Sequence, residues 1–357
     1  MAQSLGQNKK NGSGLTGLAN CGNTCYLNTC LQILSHTYEL NEILDKRQYR
    51  HHLKKTPDGV MLHEWDELRN LMWSEDCVVK PTRFLKIVHA VATHKKRDVF
   101  TGWDQNDMSE FYLFILECFH EALSREVEMK VKGQIKSQTD KLAQKCYERM
   151  IQLYQNSYSE LLDVFFGIQV WKVSVEKNGA MVSCGVEEMN PEPFMSLDLS
   201  VPEGVNEISL LECIKHNLKP DRIDGFVDQE GRQKERTLCF WSLPKVLMVN
   251  IKRYDVFGRK VRCAVYPEKY ICLEEYSVGY TKDNTYELFG AAIHSGGSIQ
   301  GGHYYGIIKA KNGKFYKFND TQVSLVGGGD IPSNAFSAGS CFFYRKKNGP
   351  SIYSHAS

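Results

Sequence analysis

The stretch that decides the fold is GLANCGNTCYLNTCLQ, residues 17–32. Its GNT triplet predicts a turn, and Thr24 is of a residue type that commonly caps the start of a helix. The residues that follow recur at the spacing of one helix face: Leu27, Cys30, Leu31, Ile33 and Leu34. We therefore expect a buried helix whose first turn contains Cys25.

Three cysteines lie in this stretch, Cys21, Cys25 and Cys30. They could form a metal site or a disulfide pair, or one of them could be a nucleophile while the other two have no chemical role. No Cys-x-x-Cys spacing occurs in the chain and no histidine stands at a matching distance, which argues against zinc here. Only Cys25 has the predicted helix N-terminal position, where partial positive charge and free N–H groups lower a thiol pKa. The alternative, that Cys25 is a small buried hydrophobe, stays open at this point.

The composition is that of a globular protein, with 357 residues, 42% hydrophobic and 24% charged, and a formal net charge of +2. This length fits one large domain or two, and the charge gives no reason to expect a nucleic-acid partner. The start, MAQSLGQNKK, lacks the apolar core of a secretion signal, and no run approaches the ~20 apolar residues of a membrane helix. We expect a soluble, monomeric, intracellular protein of the cytoplasm and/or nucleus with reduced cysteines and no membrane contact.

Helical patterns precede strand patterns along the chain. Residues 104–123, DQNDMSEFYLFILECFHEAL, carry a continuous apolar helix stripe, and the Lys-rich residues 125–155 are interpreted as further helix with a solvated face. From about Leu161, segments such as GIQVWKVSV and LPKVLMVNIKRYD predict strands. This order predicts an α+β fold, with flexible tails at 1–13 and 348–357.

A nucleophilic cysteine needs a base, and His303 is the best of eleven histidines. It begins a predicted strand, and the glycines before it allow another part of the chain to approach closely. His294 is the second choice. Its simpler interpretation is a hydrogen-bonded histidine near a strand end, which we favour on the residues alone because one base is enough.

The base in turn needs an acceptor that orients it. Taking Asn312-Gly313 as a two-residue hairpin turn pairs Tyr305 with Asp320. Asp320 is then the diagonal neighbour of His303 on one face, while Asn319 points to the other face unless a bulge intervenes. Spacing alone therefore selects Asp320.

Acyl transfer also needs hydrogen-bond donors for the oxyanion. The backbone N–H of Cys25 is one candidate, and the side chains of Asn20 and Asn23 are others. Asparagine beside glycine is more often a turn residue, so both interpretations of the two side chains stay open.

Four motifs in order resemble those of the ubiquitin-specific proteases, papain-like cysteine proteases that act as deubiquitinating enzymes. GLANCGNTCYLNTCLQ resembles their Cys box and GGHYYGIIKAKNGKFYKFND their His box. Between them, QNDMSEF resembles the family's Q-x-D-x-x-E-F, and LPKVLMVNIKRYD its L-P-x-x-L-x-x-x-x-K-R-F/Y. The resemblance extends from Gly14 to about Lys347, nearly the whole chain.

The resemblance implies roles for five residues of the reaction. Cys25 is the nucleophile, His303 the general base and Asn20 the oxyanion donor. Asn319 stands at the third triad position, against the choice made by spacing. We therefore place Asn319 first, because one bulge reconciles it with the pairing, and keep Asp320 as contributor or alternate.

The resemblance also implies a substrate, the peptide or isopeptide bond after the Leu-Arg-Gly-Gly tail of ubiquitin. Asp107 and Glu110 match acidic positions that bind the tail, since its arginine needs carboxylates. Their simpler interpretation is acidic charge at a helix N-terminus. His294 matches a histidine beside the tail channel, so a binding role becomes the favoured interpretation for it.

One departure from the family concerns zinc. Its finger region usually holds zinc through two Cys-x-x-Cys pairs, but here each pair is reduced to one cysteine, Cys184 and Cys239. Two ligands do not complete a tetrahedral site, so we expect no metal and no other cofactor, with fingers that are reduced or held by strand pairing.

The resemblance implies one catalytic domain at 14–347 of papain-like fold. A helical thumb spans about 14–160, and a β-rich palm with the fingers spans about 161–347, the active site lying between thumb and palm. The expected function is hydrolysis of ubiquitin conjugates through a thioester, with ubiquitin and ubiquitinated proteins as partners. Two alternatives remain: a catalytically silent ubiquitin-binding module, and a protease for another ubiquitin-like modifier.

Overall fold

Helices dominate the chain up to Phe165 and strands dominate from Gly167 onward, as the α+β prediction requires. The structure is a computed structural model and describes residues 13–255, 258–298, 301–327 and 333–347. The predicted tails therefore lie outside the described residues, apart from Ser13. The α-helices are α1 Cys25–Ser35, α2 Tyr38–Asp45, α3 Pro57–Met72, α4 Thr82–His94, α5 Met108–Leu123, α6 Gln138–Tyr154, α7 Leu161–Phe165, α8 Leu210–Asn217 and α9 Ser333–Phe336.

The strands are mostly short and antiparallel. They are β1 Gly17–Leu18, β2 Val78–Val79, β3 Gly167–Lys177, β4 Ala180–Ser183, β5 Pro191–Phe194, β6 Ser196–Ser200, β7 Glu207–Ser209, β8 Lys234–Ser242, β9 Val246–Lys252, β10 Ala264–Tyr266, β11 Tyr270–Cys272, β12 Thr285–Ser298, β13 Gly301–Lys309, β14 Phe315–Asn319, β15 Gln322–Leu325 and β16 Gly339–Lys346. No helix in the described ranges combines the length and the apolar character needed to span a membrane.

The buried helix predicted from the opening stretch is confirmed as α1, which begins at Cys25 and is buried along its whole length. Thr24 occupies the predicted cap position, but its side chain caps no helix N–H. Its hydroxyl instead accepts a hydrogen bond from the N–H of Cys21, 2.8 Å away, and closes the loop that precedes the helix. The presence of a threonine at this position predicted the helix start correctly, but it did not predict the hydrogen-bond partner of the Thr24 hydroxyl.

The second helix prediction is correct for α5 and partly wrong for residues 125–155. Helix α6 starts only at Gln138, with Ser137 capping the N–H of Asp140. The described residues before it are irregular, and the β-branched Val127, Val131 and Ile135 fall there, with low helix propensity.

The chain forms two compact units. The first takes its described residues from Met1–Leu123, Arg253–Val265 and Phe289–Phe342, and the second from Ser124–Lys252, Tyr266–Leu288 and Phe343–Ser357. In the first unit, β13 pairs antiparallel with β12 and β14, and β14 pairs with β15. Helix α1 packs on β13 and on α5, and α3 packs on α4 and α5. The helix that begins at Cys25 thus lies directly on the strand that contains His303. The predicted boundary near residue 160 stays a prediction.

The hairpin between β13 and β14 corrects the predicted register by one residue. Lys309 pairs with Phe315, so Tyr305 is opposite Asn319 rather than Asp320. The loop has three residues, since Gly313 donates to the carbonyl of Ala310 across 2.9 Å in a tight turn and has φ +80°. That left-handed glycine is the bulge residue of a three-residue hairpin, which an Asn-Gly pair fits as well as a two-residue turn.

The second unit is built on β3, which pairs with β4, β5 and β8. Strands β6 and β9 run parallel to each other. An apolar cluster joins α6 to β3 and β8: Leu142, Ala143, Cys146, Met150, Ile168, Val170, Val186, Met189, Cys239 and Trp241. Cys239 is part of this cluster, whereas Cys184 is half-buried. Cys239 therefore packs as an ordinary apolar side chain of β8, and Cys184 follows β4 as a half-buried free cysteine.

A buried ionic network in the first unit fixes α3. Asp66 accepts hydrogen bonds from the Tyr49 hydroxyl at 2.6 Å and from Arg69 at 2.6 Å, and both ion-pair side chains are about fully buried, at 2% and 1% exposure. Burial by itself raises the pKa of Asp66, but the bonds from Tyr49 and Arg69 outweigh it and the pKa is lowered overall. The carboxylate is therefore charged in the folded state.

We expect Asp66→Ala to lower the free energy of unfolding by about 3–5 kcal/mol, because Arg69 would be left buried without its main partner. Asp45→Ala is the control. It removes the other carboxylate bonded to Arg69, which is 49% exposed, and should cost about 1 kcal/mol or less.

Urea unfolding measures both variants. Because the folded-state pKa of Asp66 is depressed, its contribution is present at neutral pH and is lost as the pH falls through that pKa. A wild-type advantage over Asp66→Ala that persists undiminished in acid would contradict this.

Candidate active site

Cys25 and His303 are brought together by α1 and β13. The Cys25 side chain is buried, and its Sγ accepts a hydrogen bond from the backbone N–H of Tyr304 at 3.4 Å. Tyr304 follows His303 in β13, so the sulfur lies against the strand at the predicted base. Both residues belong to the first unit.

The expected lowering of the Cys25 pKa is wrong for this resting state. Burial raises the pKa of the thiol, and the negative charge of Asp320 raises it further. The N–H groups of Tyr304 and of the helix start lower it, as the sequence argument predicted, but they do not outweigh burial. The thiol is therefore protonated in the free protein, and reactivity requires its proton to be taken up.

The His303 ring is oriented by Asn319. Its Nε2 lies 2.6 Å from Asn319 Oδ1, as the corrected hairpin register allows. An amide oxygen only accepts, so Nε2 carries the ring proton and Nδ1 is the unprotonated nitrogen of the neutral ring. Nδ1 is then the atom able to take the proton from a thiol.

Asp320, which spacing had selected, has other partners. One carboxylate oxygen accepts from Asn20 Nδ2 at 3.0 Å, and the other accepts from Asn28 Nδ2 at 2.8 Å. Its backbone oxygen accepts from the N–H of Leu18 at 2.8 Å. Its φ of +50° is left-handed, which lets it face the segment before α1 although Asn319 faces His303.

The two candidate oxyanion asparagines separate in the structure. Asn23 has φ +51° and donates to the carbonyl of Trp103 at 3.0 Å, as a turn residue bound to a neighbouring loop. Asn20 accepts from the N–H groups of Gly22 and Thr24 through Oδ1, at 3.0 and 3.2 Å. Its amide nitrogen has two hydrogens and Asp320 takes one. Asn20 is thus a turn residue whose amide nitrogen keeps a second hydrogen, and its role as oxyanion donor stays a prediction.

The acidic pair at the start of α5 divides in a similar way. Asp107 Oδ1 accepts from the N–H groups of Ser109 and Glu110 at 2.8 and 3.0 Å, as a helix cap does. Its Oδ2 accepts from the Tyr304 hydroxyl at 3.2 Å. Glu110 is exposed. The simpler interpretation therefore holds for Asp107, which in addition joins α5 to β13.

His294 is buried and neutral. Its Nδ1 lies 3.2 Å from the Tyr254 hydroxyl and 3.5 Å from Lys260 Nζ. Burial, with the Lys260 charge second, lowers the pKa of His294 to about 4, so it is a poor general base at neutral pH. A Cβ at Gly302, whose φ is +151°, would lie 2.4 Å from His294 Nε2. Only glycine fits this narrow point beside His303.

Two residues of the site had no role assigned from the sequence. Gln105 donates from Nε2 to the carbonyl of Gly302, next to His303. Asn28 binds Asp320. Both stand within the quoted motifs, but their partners are distant in sequence, and no local pattern identifies such pairs.

No group of three or more His, Cys, Asp or Glu side chains in the described part of the chain is arranged to hold a metal ion. The absence of zinc stays a prediction.

Comparison with known proteins gives one family. The family model described as "Ubiquitin carboxyl-terminal hydrolase" matches residues 16–344. Ubiquitin carboxyl-terminal hydrolase 2 of Homo sapiens is 27% identical over 369 residues, covering 97% of this chain and 57% of that protein. Ubiquitin carboxyl-terminal hydrolase 21 of Rattus norvegicus is 25% identical over 376 residues, covering 95% and 63%. The chain thus spans little more than half the length of these curated relatives.

The solved structures agree on the fold. The SAGA Ubp8/Sgf11/Sus1/Sgf73 DUB module bound to ubiquitin aldehyde has a chain that matches with a TM-score of 0.70 at 22% identity. The match covers 98% of this chain and 72% of that one. The predicted α+β, papain-like fold is confirmed by this similarity.

The raised thiol pKa predicts how Cys25 reacts with iodoacetamide in the free protein. Alkylation of Cys25 should be slow at neutral pH and should increase with pH up to and beyond the ordinary thiol value of about 8.5, because only the thiolate reacts. Mass spectrometry of the peptide that contains Cys25 measures it, and Cys25→Ser identifies the signal. A rate already at its plateau near pH 7, about 1.5 units below that value, would contradict the prediction.

Proposed function

Because the chain belongs to the ubiquitin carboxyl-terminal hydrolase family, we propose that it is an active cysteine deubiquitinase. It hydrolyses peptide or isopeptide bonds at the C-terminal glycine of ubiquitin through a thioester. The observation that carries the proposal is the pair of contacts within one compact unit that hold the Cys25 sulfur on the N–H of Tyr304, next to His303, and the His303 ring on Asn319. A protein of this fold that only bound ubiquitin would need neither the thiol nor the oriented imidazole.

The reaction begins with a proton transfer. His303 Nδ1 takes the proton of Cys25, and the Asn319 amide oxygen holds the ring proton on Nε2 in both protonation states. Substrate binding favours this step, because a carbonyl carbon beside the sulfur reacts with the thiolate as it forms.

The thiolate then attacks the carbonyl carbon of the terminal glycine. The remaining N–H of Asn20 and the backbone N–H of Cys25 receive the oxyanion, a contribution of about 10²–10³ in rate for one such donor. The imidazolium protonates the leaving lysine amine, and the thioester remains on Cys25. Water, deprotonated by His303, hydrolyses the thioester and restores the free thiol.

Recognition of the ubiquitin tail uses the acidic start of α5 and the narrow point beside His303. Glu110 is exposed and available to an arginine of the tail, and Asp107 lies next to Tyr304. Gly302 packs against His294 with no room for a side chain of its own. We propose that the Gly-Gly terminus passes beside this glycine, where neither backbone carries a Cβ. The structural relative is bound to ubiquitin aldehyde, and this supports ubiquitin as the ligand here. We propose ubiquitinated proteins as its substrates inside the cell, in the cytoplasm and/or nucleus, and a monomer as the acting form.

A ubiquitin probe with a C-terminal electrophile tests the proposal. Wild type should form a covalent adduct and Cys25→Ser should form none, because the adduct needs the nucleophilic sulfur. Cys21→Ser is the matched control from the same loop and should react like wild type. Tight binding of ubiquitin by a wild type that forms no adduct would establish the silent module instead. Reaction only with probes of other modifiers would establish the second alternative.

The two residues at the β14 turn should differ in their loss of kcat. Asn319→Ala frees the His303 ring and should also slow alkylation of Cys25, because proton uptake is affected. Asp320→Ala removes the partner of Asn20 and the charge that raises the Cys25 pKa, so alkylation should not slow. Steady-state hydrolysis of a fluorogenic ubiquitin substrate and iodoacetamide rates give the comparison. Equal loss of kcat with equal change in alkylation would contradict the separate roles.

A further inference from the structure

Asn28 is a buried amide one turn beyond the nucleophile. It is 2% exposed, and its Nδ2 donates to Asp320 Oδ1 at 2.8 Å and to the carbonyl of Leu18 at 3.3 Å. Its Oδ1 is buried without a hydrogen-bond partner among the described residues. A buried oxygen without a partner lowers stability. The amide of Asn28 is therefore explained by the hydrogen bonds that its nitrogen donates and not by its oxygen.

The carboxylate that Asn28 binds also binds Asn20. Asp320 Oδ2 accepts from Asn20 Nδ2 at 3.0 Å, and the Asp320 carbonyl accepts from Leu18 N–H at 2.8 Å. Asn20, in the loop before α1, and Asn28, within α1, thus each hold one oxygen of the same carboxylate. A carboxylate held at one oxygen only would be free to rotate away from the other amide.

We infer that Asn28 is a positioning residue for the proposed hydrolysis. It fixes the orientation of Asp320, and Asp320 then directs the amide of Asn20 toward the oxyanion. Asn28 itself touches neither substrate nor reacting atoms. The inference rests on the proposed function and adds to it a residue that acts on the oxyanion side alone.

The geometry separates this effect from thiol activation. Asn28 has no hydrogen bond to Cys25, His303 or Asn319. Cys25 accepts instead from the N–H of Tyr304, and His303 bonds Asn319 through its ring. Loss of Asn28 should therefore lower the rate of the step that develops an oxyanion. It should leave the reaction of Cys25 with a small alkylating reagent close to wild type.

Gln32, one turn further along α1, is a matched control. It is also 2% exposed, its Nε2 donates to a backbone carbonyl of the same preceding segment, that of Thr16 at 2.7 Å, and its Oε1 is likewise buried without a partner in the described part. It makes no bond to Asp320. Gln32→Ala therefore removes a comparable buried amide and leaves the carboxylate in place.

The experiment compares Asn28→Ala and Gln32→Ala in the full chain with a fluorogenic ubiquitin substrate. Asn28→Ala should lower kcat by about 10- to 100-fold, less than the 10²–10³-fold loss when an oxyanion donor is removed, because Asn20 is misoriented but still present, with KM little changed. Gln32→Ala should keep kcat within a few-fold of wild type. In an Asp320→Ala background, Asn28→Ala should have no further effect, since both changes remove the same orientation of Asn20. Asn28→Leu keeps the number and branching of the side-chain heavy atoms without the amide, and replaces the alanine variant if that variant does not fold.

Four results would overturn the inference alone, and a fifth would overturn the proposed function with it. Equal losses in Asn28→Ala and Gln32→Ala would make the role one of general stability. Additive losses with Asp320→Ala would show that Asn28 does not act through that carboxylate. Slower iodoacetamide alkylation of Cys25 would place the effect on the thiol. A wild type that hydrolyses no ubiquitin substrate would refute the proposed function itself, and the inference with it, whereas an active wild type with an unaffected Asn28→Ala would refute the inference alone.

Discussion

The turn that ends β14 is the constraint on which the site depends. Asn319 is in the strand and bonds His303, while Asp320 adopts a left-handed φ of +50° and bonds Asn20 and Asn28. Such a backbone costs on the order of 1 kcal/mol or more for a residue with a side chain. The bonds to its carboxylate and carbonyl offset that cost. Two adjacent residues therefore face two different sides of the proposed active site, and neither can take the partners of the other in this backbone conformation.

Burial of Cys25 favours the stability of the fold but lowers the reactivity of the thiol. A sulfur enclosed by α1 and β13 packs well, but the same enclosure raises the pKa of the thiol. The N–H of Tyr304 is a compensating group, because a hydrogen bond to sulfur favours the thiolate. In the free protein the compensation is incomplete. The energy that remains has to come from substrate binding, which ties reactivity to recognition of the correct tail.

Apolar periodicity predicted α1 and α5 because it reports burial directly, and it gave no separate prediction for α2, α3 and α4. The prediction of a helix was wrong for residues 126–136. The interpretation there relied on the charged residues and gave too little weight to the low helix propensity of Val and Ile. The hairpin register was wrong by one residue, since the Asn312-Gly313 pair is compatible with loops of two or three residues. A shift of one residue turns every later side chain to the other face, so the error passed directly to the choice between Asn319 and Asp320. The partners of Asp320 lie some 290 to 300 positions away in sequence, and no local pattern contains them.

Several side chains of the site satisfy a structural and a chemical requirement at once. Asn20 closes its own loop through Oδ1 and binds Asp320 through its amide nitrogen, which is the proposed oxyanion donor, and Asp107 caps α5 with one oxygen and holds Tyr304 with the other. The two interpretations weighed for such residues from the sequence are therefore not exclusive. A carboxylate has two oxygens and an amide has an oxygen and a nitrogen, and in this densely packed site both polar atoms of such a group form hydrogen bonds. A loss of activity on replacing Asp107 would follow from displacement of α5 and β13 alone, so contact with the substrate has to be argued from the exposed Glu110 rather than from Asp107.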